Sequence, residues 1–117
     1  MNIEQIASLG TLDTDLGEWA PKPTATTDGV MERSVAIWEV PGIEVGLWEC
    51  TPGSFTSRRD TFSESCVVLA GHFTIEDASG SVDYRAGDVL VTPMGWVGTW
   101  QVHETVRKVY VINADLP

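Results

Sequence analysis

"SCVVLAGHFTIEDASGSVDYRAGDVLVTP", residues 65–93, decides the fold. Its apolar and β-branched residues fall in short runs, each closed by a turn signal: Gly71, Ser79-Gly80, Ala86-Gly87-Asp88 and finally Pro93. Runs of that length between Gly- and Pro-bearing turns are the pattern of strands and hairpins, and they are too short for helices. Ser79-Gly80 reads as a hairpin turn and Ala86-Gly87-Asp88 as a tight turn. Gly71 reads as a break at which two strands meet.

The same grammar extends in both directions. "SVAIWEV" (34–40) ends at the turn dipeptide Pro41-Gly42, and "IEVGLWEC" (43–50) alternates Ile43, Val45 and Leu47 with Glu44, Gly46 and Trp48. These two segments predict an antiparallel pair. Pro52-Gly53 leads into the next strand, and "GTWQVHE" (98–104) and "TVRKVYVIN" (105–113) complete the series. Eight or nine short strands predict an all-β sandwich or barrel over residues 34–117 and exclude a helical domain. Residues 1–33 differ: "TLDTDLGEWAPKPTATTDG" (11–29) has no sustained period and reads as an irregular arm. Within it "NIEQIASL" (2–9) is a candidate short helix ended by Gly10, and Trp19 is the residue expected to anchor the arm to a surface.

A chain of 117 residues with 43% hydrophobic residues is one domain with a sizeable core. No apolar run is long enough to cross a bilayer and no signal peptide is visible, so a cytoplasmic location is expected. Seventeen acidic residues against seven basic ones give a net charge of −10, which argues against nucleic acid and anionic membranes as partners. Four of the basic residues are paired as Arg58-Arg59 and Arg107-Lys108, so positive potential can survive locally and suits a small anion in a pocket. Cys50 and Cys66 lack zinc-site spacing and read as small buried hydrophobes.

Glu64, followed after six residues by Gly71, is similar to the end of the first cupin motif, G-x5-H-x-H-x4-E-x6-G. Gly87, then Pro93 and Gly95, is similar to the start of the second, G-x5-P-x-G-x2-H-x3-N. The stretches "VGLWECTPGSF" (45–55), "GDVLVTPMGWVGTW" (87–100) and "VHETVRKVYVI" (102–112) resemble the small single-domain cupins grouped with ureidoglycine aminohydrolase and ethanolamine-utilisation protein Q. The resemblance covers residues 34–113. It implies a jelly-roll barrel, the double-stranded β-helix, with a pocket in the barrel mouth and a homodimeric assembly.

In a metal-binding cupin two His, a Glu and a later His meet inside the barrel. Carried over position by position, those ligands fall on Ser57, Arg59, Glu64 and Gly98. One carboxylate and one hydroxyl do not make a transition-metal site, and a fixed guanidinium repels the ion. No metal or other cofactor is therefore expected. Strand alternation puts Gly98, Trp100 and Val102 on one face and His103 on the other, which makes Trp100 the pocket-facing residue. Arg107 and Lys108 face opposite ways, so one of them must point inward or into an interface, where a salt bridge or subunit contact is the simplest account.

The leading expectation is a metal-free pocket for a small, carboxylate-bearing organic molecule. Arg59 is the candidate anion clamp, paired with Glu64; Ser57 lies beside it, and Trp48, Trp96 and Trp100 are candidate walls. If chemistry follows binding, Glu64 is the candidate acid/base, with burial raising its pKa toward a useful range. Two alternatives stand beside it: a metal-dependent enzyme of the ureidoglycine aminohydrolase type, and a structural or regulatory dimer with a vestigial pocket.

Overall fold

The computed structural model describes residues 14–114. The candidate helix at 2–9 lies outside the described residues. Eight strands are present: β1 (Ala20–Pro21), β2 (Met31–Val40), β3 (Ile43–Cys50), β4 (Gly53–Arg58), β5 (Phe62–Asp77), β6 (Gly80–Arg85), β7 (Val89–Thr92) and β8 (Val97–Ala114). Among the described residues there is no helix, and hence none long and apolar enough to cross a membrane. The turns predicted at Pro41-Gly42 and Ala86-Gly87-Asp88 fall between strands, and those at Pro52-Gly53 and Ser79-Gly80 end on the first residues of β4 and β6.

All strand pairing is antiparallel, in the order β1-β2-β3-β8-β5-β6, with β4 added to β8 and β7 to β5. The two long strands organise the jelly roll. The first half of β5 pairs with β7 and its second half with β6, while β8 pairs with β4 through residues 97–102 and with β3 through 106–113. Each long strand thus serves both layers, and the interior between them is the core.

Gly71 is not the end of a strand, as the sequence reading expects, but an irregularity inside β5. The β5–β8 register shifts between Val68 and Ala70, between Ala70 and His72 and between His72 and Phe73. Gly71 has φ 95°, and a Cβ there would lie 2.3 Å from the carbonyl oxygen of Thr105. Only glycine lets the two backbones come so close at a bulge. The same region joins the separate segments expected at 98–104 and 105–113 into one continuous β8.

The core is built on aromatic rings. Phe73 stacks on Trp100 with centroids 4.4 Å apart, Tyr84 also stacks on Phe73, Phe55 stacks on Trp100 and Trp48 meets Trp100 edge-on. This row crosses β6, β5, β8, β4 and β3 and forms the floor of the barrel. Cys50 and Cys66 are free thiols within the same core, and burial pushes the Cys50 thiol up to about 11.

The segment before β2 is strapped to the barrel. Thr24 and Thr26 exchange backbone hydrogen bonds with Thr56 and Ser54 along the edge of β4, and Val30 joins the core. Trp19 is half-buried against the Arg33 guanidinium, 4.3 Å from ring to charge. Arg33 and Arg107 both bond to Glu49, and Arg107 also donates to the carbonyl of Thr14. Arg107 is buried beneath this segment.

Gly71→Ala is expected to lose about 1–3 kcal/mol, from left-handed strain with a backbone clash added. Gly29→Ala, where φ is 78° and a Cβ would meet nothing within 4 Å, is expected to lose less. Urea midpoints of the two variants check the order, and equal losses would show that the contact with Thr105 is not what constrains the bulge.

Candidate functional site

One cavity of about 230 Å³ opens at the barrel mouth. Lys22, Trp48, Phe55, Ser57, Arg59, Glu64, Trp100 and Lys108 line its inner part, and Ser34, Glu44, Tyr110 and Ile112 its other end. Three cationic side chains and two carboxylates line it, inside a chain of net charge −10.

Glu64 is at its centre. It lies on β5 opposite Ile112 of β8 and Thr92 of β7, with its side chain turned inward and only 9% exposed. Arg59 Nη2 and Lys108 Nζ both donate to its Oε2, each at 2.9 Å. Burial pushes the Glu64 carboxyl up, but the charges and hydrogen bonds of Lys108 and Arg59 outweigh it and hold the carboxyl below its ordinary 4.5. The raised pKa expected of a buried acid is thus reversed, and Glu64 is a carboxylate, an acceptor or base and not a proton donor, at neutral pH.

Arg59 follows β4 and is buried. Its Nε donates to Thr92 Oγ1 at 3.0 Å and its Nη1 to Ser57 Oγ at 2.7 Å and to the Arg58 carbonyl at 3.2 Å. Of its five N–H groups, four are already directed at protein acceptors, which fixes the guanidinium as part of the frame. Ser57 is on β4 and orients that guanidinium from the cavity wall.

Lys108 is the residue that sequence reasoning left outside the pocket. It lies on β8 beside Trp48 of β3 in the register, is 4% exposed, and holds its ammonium 4.4 Å from the Trp48 ring and 4.6 Å from the Trp100 ring. The two indole faces and one carboxylate take the place of water around the buried ammonium. Strand parity places one of Arg107 and Lys108 inward or into an interface. Only the register with β3 and β5 identifies which.

Lys22 is the second addition. It comes from the N-terminal segment, pairs with Glu32 at 2.9 Å and stands 4.4 Å over the Phe55 ring. Glu32 also accepts from the Trp48 indole N–H, at 2.9 Å. A lysine between Pro21 and Pro23 is the sole trace of this in the sequence.

Trp48 and Trp100 lie at the cavity; Trp96 does not. Trp96 packs behind Arg59, with the guanidinium 5.9 Å from its ring, and its indole N–H donates to Asp77 at 2.9 Å. Its ring also fills the space above Gly98, where a Cβ would lie 2.3 Å from Trp96 Cζ2. The position that carries the last histidine of the resembled motif is therefore covered by an indole. Trp100 is buried and His103 is exposed, on opposite faces of β8.

The lowered pKa of Glu64 fixes the sign of a pH effect. Its contribution to stability is complete above the ordinary carboxyl range and is lost as pH falls through the lowered folded value. At neutral pH Glu64→Gln is expected to cost roughly 3–5 kcal/mol by leaving two buried cations without their anion. Urea titrations from about pH 7 down to about pH 3 should show the difference between wild type and variant shrinking with acid. Parallel profiles would show that Glu64 is not the titrating partner.

From residue 39 to residue 110 the chain matches the family model described as the EutQ-like cupin domain. No curated protein matches it. Among solved structures it is similar to the Clostridium difficile EutQ protein, with a TM-score of 0.65 and 18% identity over 73% of this chain and 69% of that one. It is also similar to a DUF861-family protein of Pseudomonas syringae pv. tomato, with a TM-score of 0.71 and 23% identity over 84% of this chain and 45% of the other. A DUF861-family protein of Thermotoga maritima is 31% identical over 59% of this chain and 76% of its own, with a TM-score of 0.52.

Proposed function

The chain belongs to the EutQ-like cupin domain family, and on that premise we propose that its barrel binds a small carboxylate-bearing organic molecule without a metal ion. The observation that carries this reading is the convergence of Lys108 and Arg59 on one oxygen of Glu64 inside the cavity. A transition-metal site needs three or more donors with free lone pairs. Here Glu64 is the lone carboxylate among the four carried-over positions, and its Oε2 is already occupied by two cations. Ser57 is bonded to Arg59, and Gly98 is covered by Trp96. The donor set does not fit a metal, and an enzyme of the ureidoglycine aminohydrolase type has no support from it.

The same groups fit an organic anion. Lys108 directs one N–H to Glu64 and has two more for a ligand carboxylate. Arg59 holds Glu64 in place and adds its charge, so its role is to position the acceptor and Lys108 is the counter-ion. Trp48, Trp100 and Phe55 supply flat apolar surface for the carbon skeleton, and Tyr110, Ser34 and Glu44 give the far end polar character. Glu64, held ionised, accepts a hydrogen bond from a hydroxyl or amino group next to the carboxylate.

Thermal-shift screening with mono- and dicarboxylates at about neutral pH should find members that raise the melting temperature of the wild type by mass action. Lys108→Met is expected to weaken that binding about tenfold or more, the loss of a charge-assisted hydrogen bond. A carboxylate that binds equally well to Lys108→Met would overturn the proposed counter-ion. So would stoichiometric transition metal in wild-type protein that disappears in Glu64→Gln.

A further inference from the structure

On the outside of the barrel, three side chains from adjacent strands come together: His72 of β5, Asp83 of β6 and His103 of β8. None of them lines the cavity. Their neighbours Phe73 and Val102 are buried on the inner face, so the cluster is separated from Glu64 by the sheet itself. One nitrogen or oxygen of each lies within 4.8 Å of the others. The two imidazole centroids are 4.5 Å apart, and His72 Nε2 is 3.4 Å from Asp83 Oδ2.

The backbone brings this about. Phe73 pairs with Val102 and His72 with Glu104, so His103 is the extra residue of a bulge on β8. A bulge turns such a residue out of its regular place, here toward His72. Thr74 completes the group, bonding through its hydroxyl to Asp83 Oδ1 and to His103 Nε2 at 2.8 Å. His72 Nε2 is the exception: it is buried, and it makes no close hydrogen bond beyond its 3.4 Å approach to Asp83 Oδ2. A buried nitrogen with a free lone pair or proton, beside a second imidazole and a carboxylate, is an unfinished coordination sphere.

We propose that His72, Asp83 and His103 form a site for one divalent transition-metal ion of the zinc class on the outer face of the barrel. Two imidazoles and one carboxylate are the donors that zinc, nickel(II) and copper(II) select, and three protein ligands leave a position for water. Tetrahedral zinc with bonds of about 2 Å holds its donors roughly 3.4 Å apart, the separation already present between His72 and Asp83. Asp83 and His103 are exposed and free to close the remaining distance. The ion would take His103 Nε2 from Thr74, whose hydroxyl stays on Asp83 and orients the carboxylate. Arg85 and Glu104, both paired with His72 in the register, add one charge of each sign.

This site is independent of the cavity reading, and one experiment separates them. Zinc chloride is titrated calorimetrically into protein freed of chelator, at about pH 7.5. One equivalent should bind, with affinity reduced at least about tenfold in both His103→Gln and Asp83→Asn and unchanged in the exposed control Asp60→Asn. Both residues are exposed, and circular dichroism verifies that the variants fold. Absence of saturable binding, or binding undiminished in either variant, would overturn the outer site alone. Zinc uptake abolished by Glu64→Gln and not by His103→Gln would overturn it together with the metal-free cavity.

Discussion

A carboxylate buried between a guanidinium and an ammonium constrains this barrel more than any other contact. Glu64, Arg59 and Lys108 come from β5, from the turn after β4 and from β8, and they meet only if those strands are in register. Three charges at about one-tenth exposure or less would each be costly alone, and together they tolerate few alternative arrangements. Thr92 and Ser57 bond to Arg59 and the indoles of Trp48 and Trp100 flank Lys108, so β3, β4, β5, β7 and β8 are all tied to the one oxygen. The fold and the pocket are determined by the same interaction.

Irregular pairing does as much as regular pairing to place the side chains. Gly71 allows β5 to run past Thr105 at a distance no other residue permits, so one strand serves both layers of the jelly roll. The irregularity runs from Val68 through Gly71 to Phe73, and at its end His103 is the extra residue on β8. The inner cluster and the outer one thus lie on either side of a single disturbance in the ladder.

The fold was legible because its punctuation is local. Pro41-Gly42, Ser79-Gly80 and Gly87 mark turns by backbone preference alone, and β3 occupies the predicted 43–50. Gly71 misled because a glycine that breaks a strand and one that bulges it look alike until the partner strand is known. Much of the site was legible too, since Glu64, Arg59, Ser57, Trp48 and Trp100 all face the cavity. Lys108 was not, because parity separates it from Arg107 without saying which faces inward, and both are buried once the N-terminal segment covers Arg107. Lys22 enters from a segment without periodicity, and Trp96 faces a gap created by Gly98, a contact that no spacing rule reveals.

The lysine ammonium in the barrel has a further consequence. A cation carried by the chain is loaded when the protein folds, and it cannot be taken by a chelator, exchanged for a competing ion or oxidised. Under the metal-free reading proposed above, a cavity charged in this way would not depend on the supply of trace elements in its surroundings. The chemistry such a cavity offers under that reading is recognition and the movement of protons.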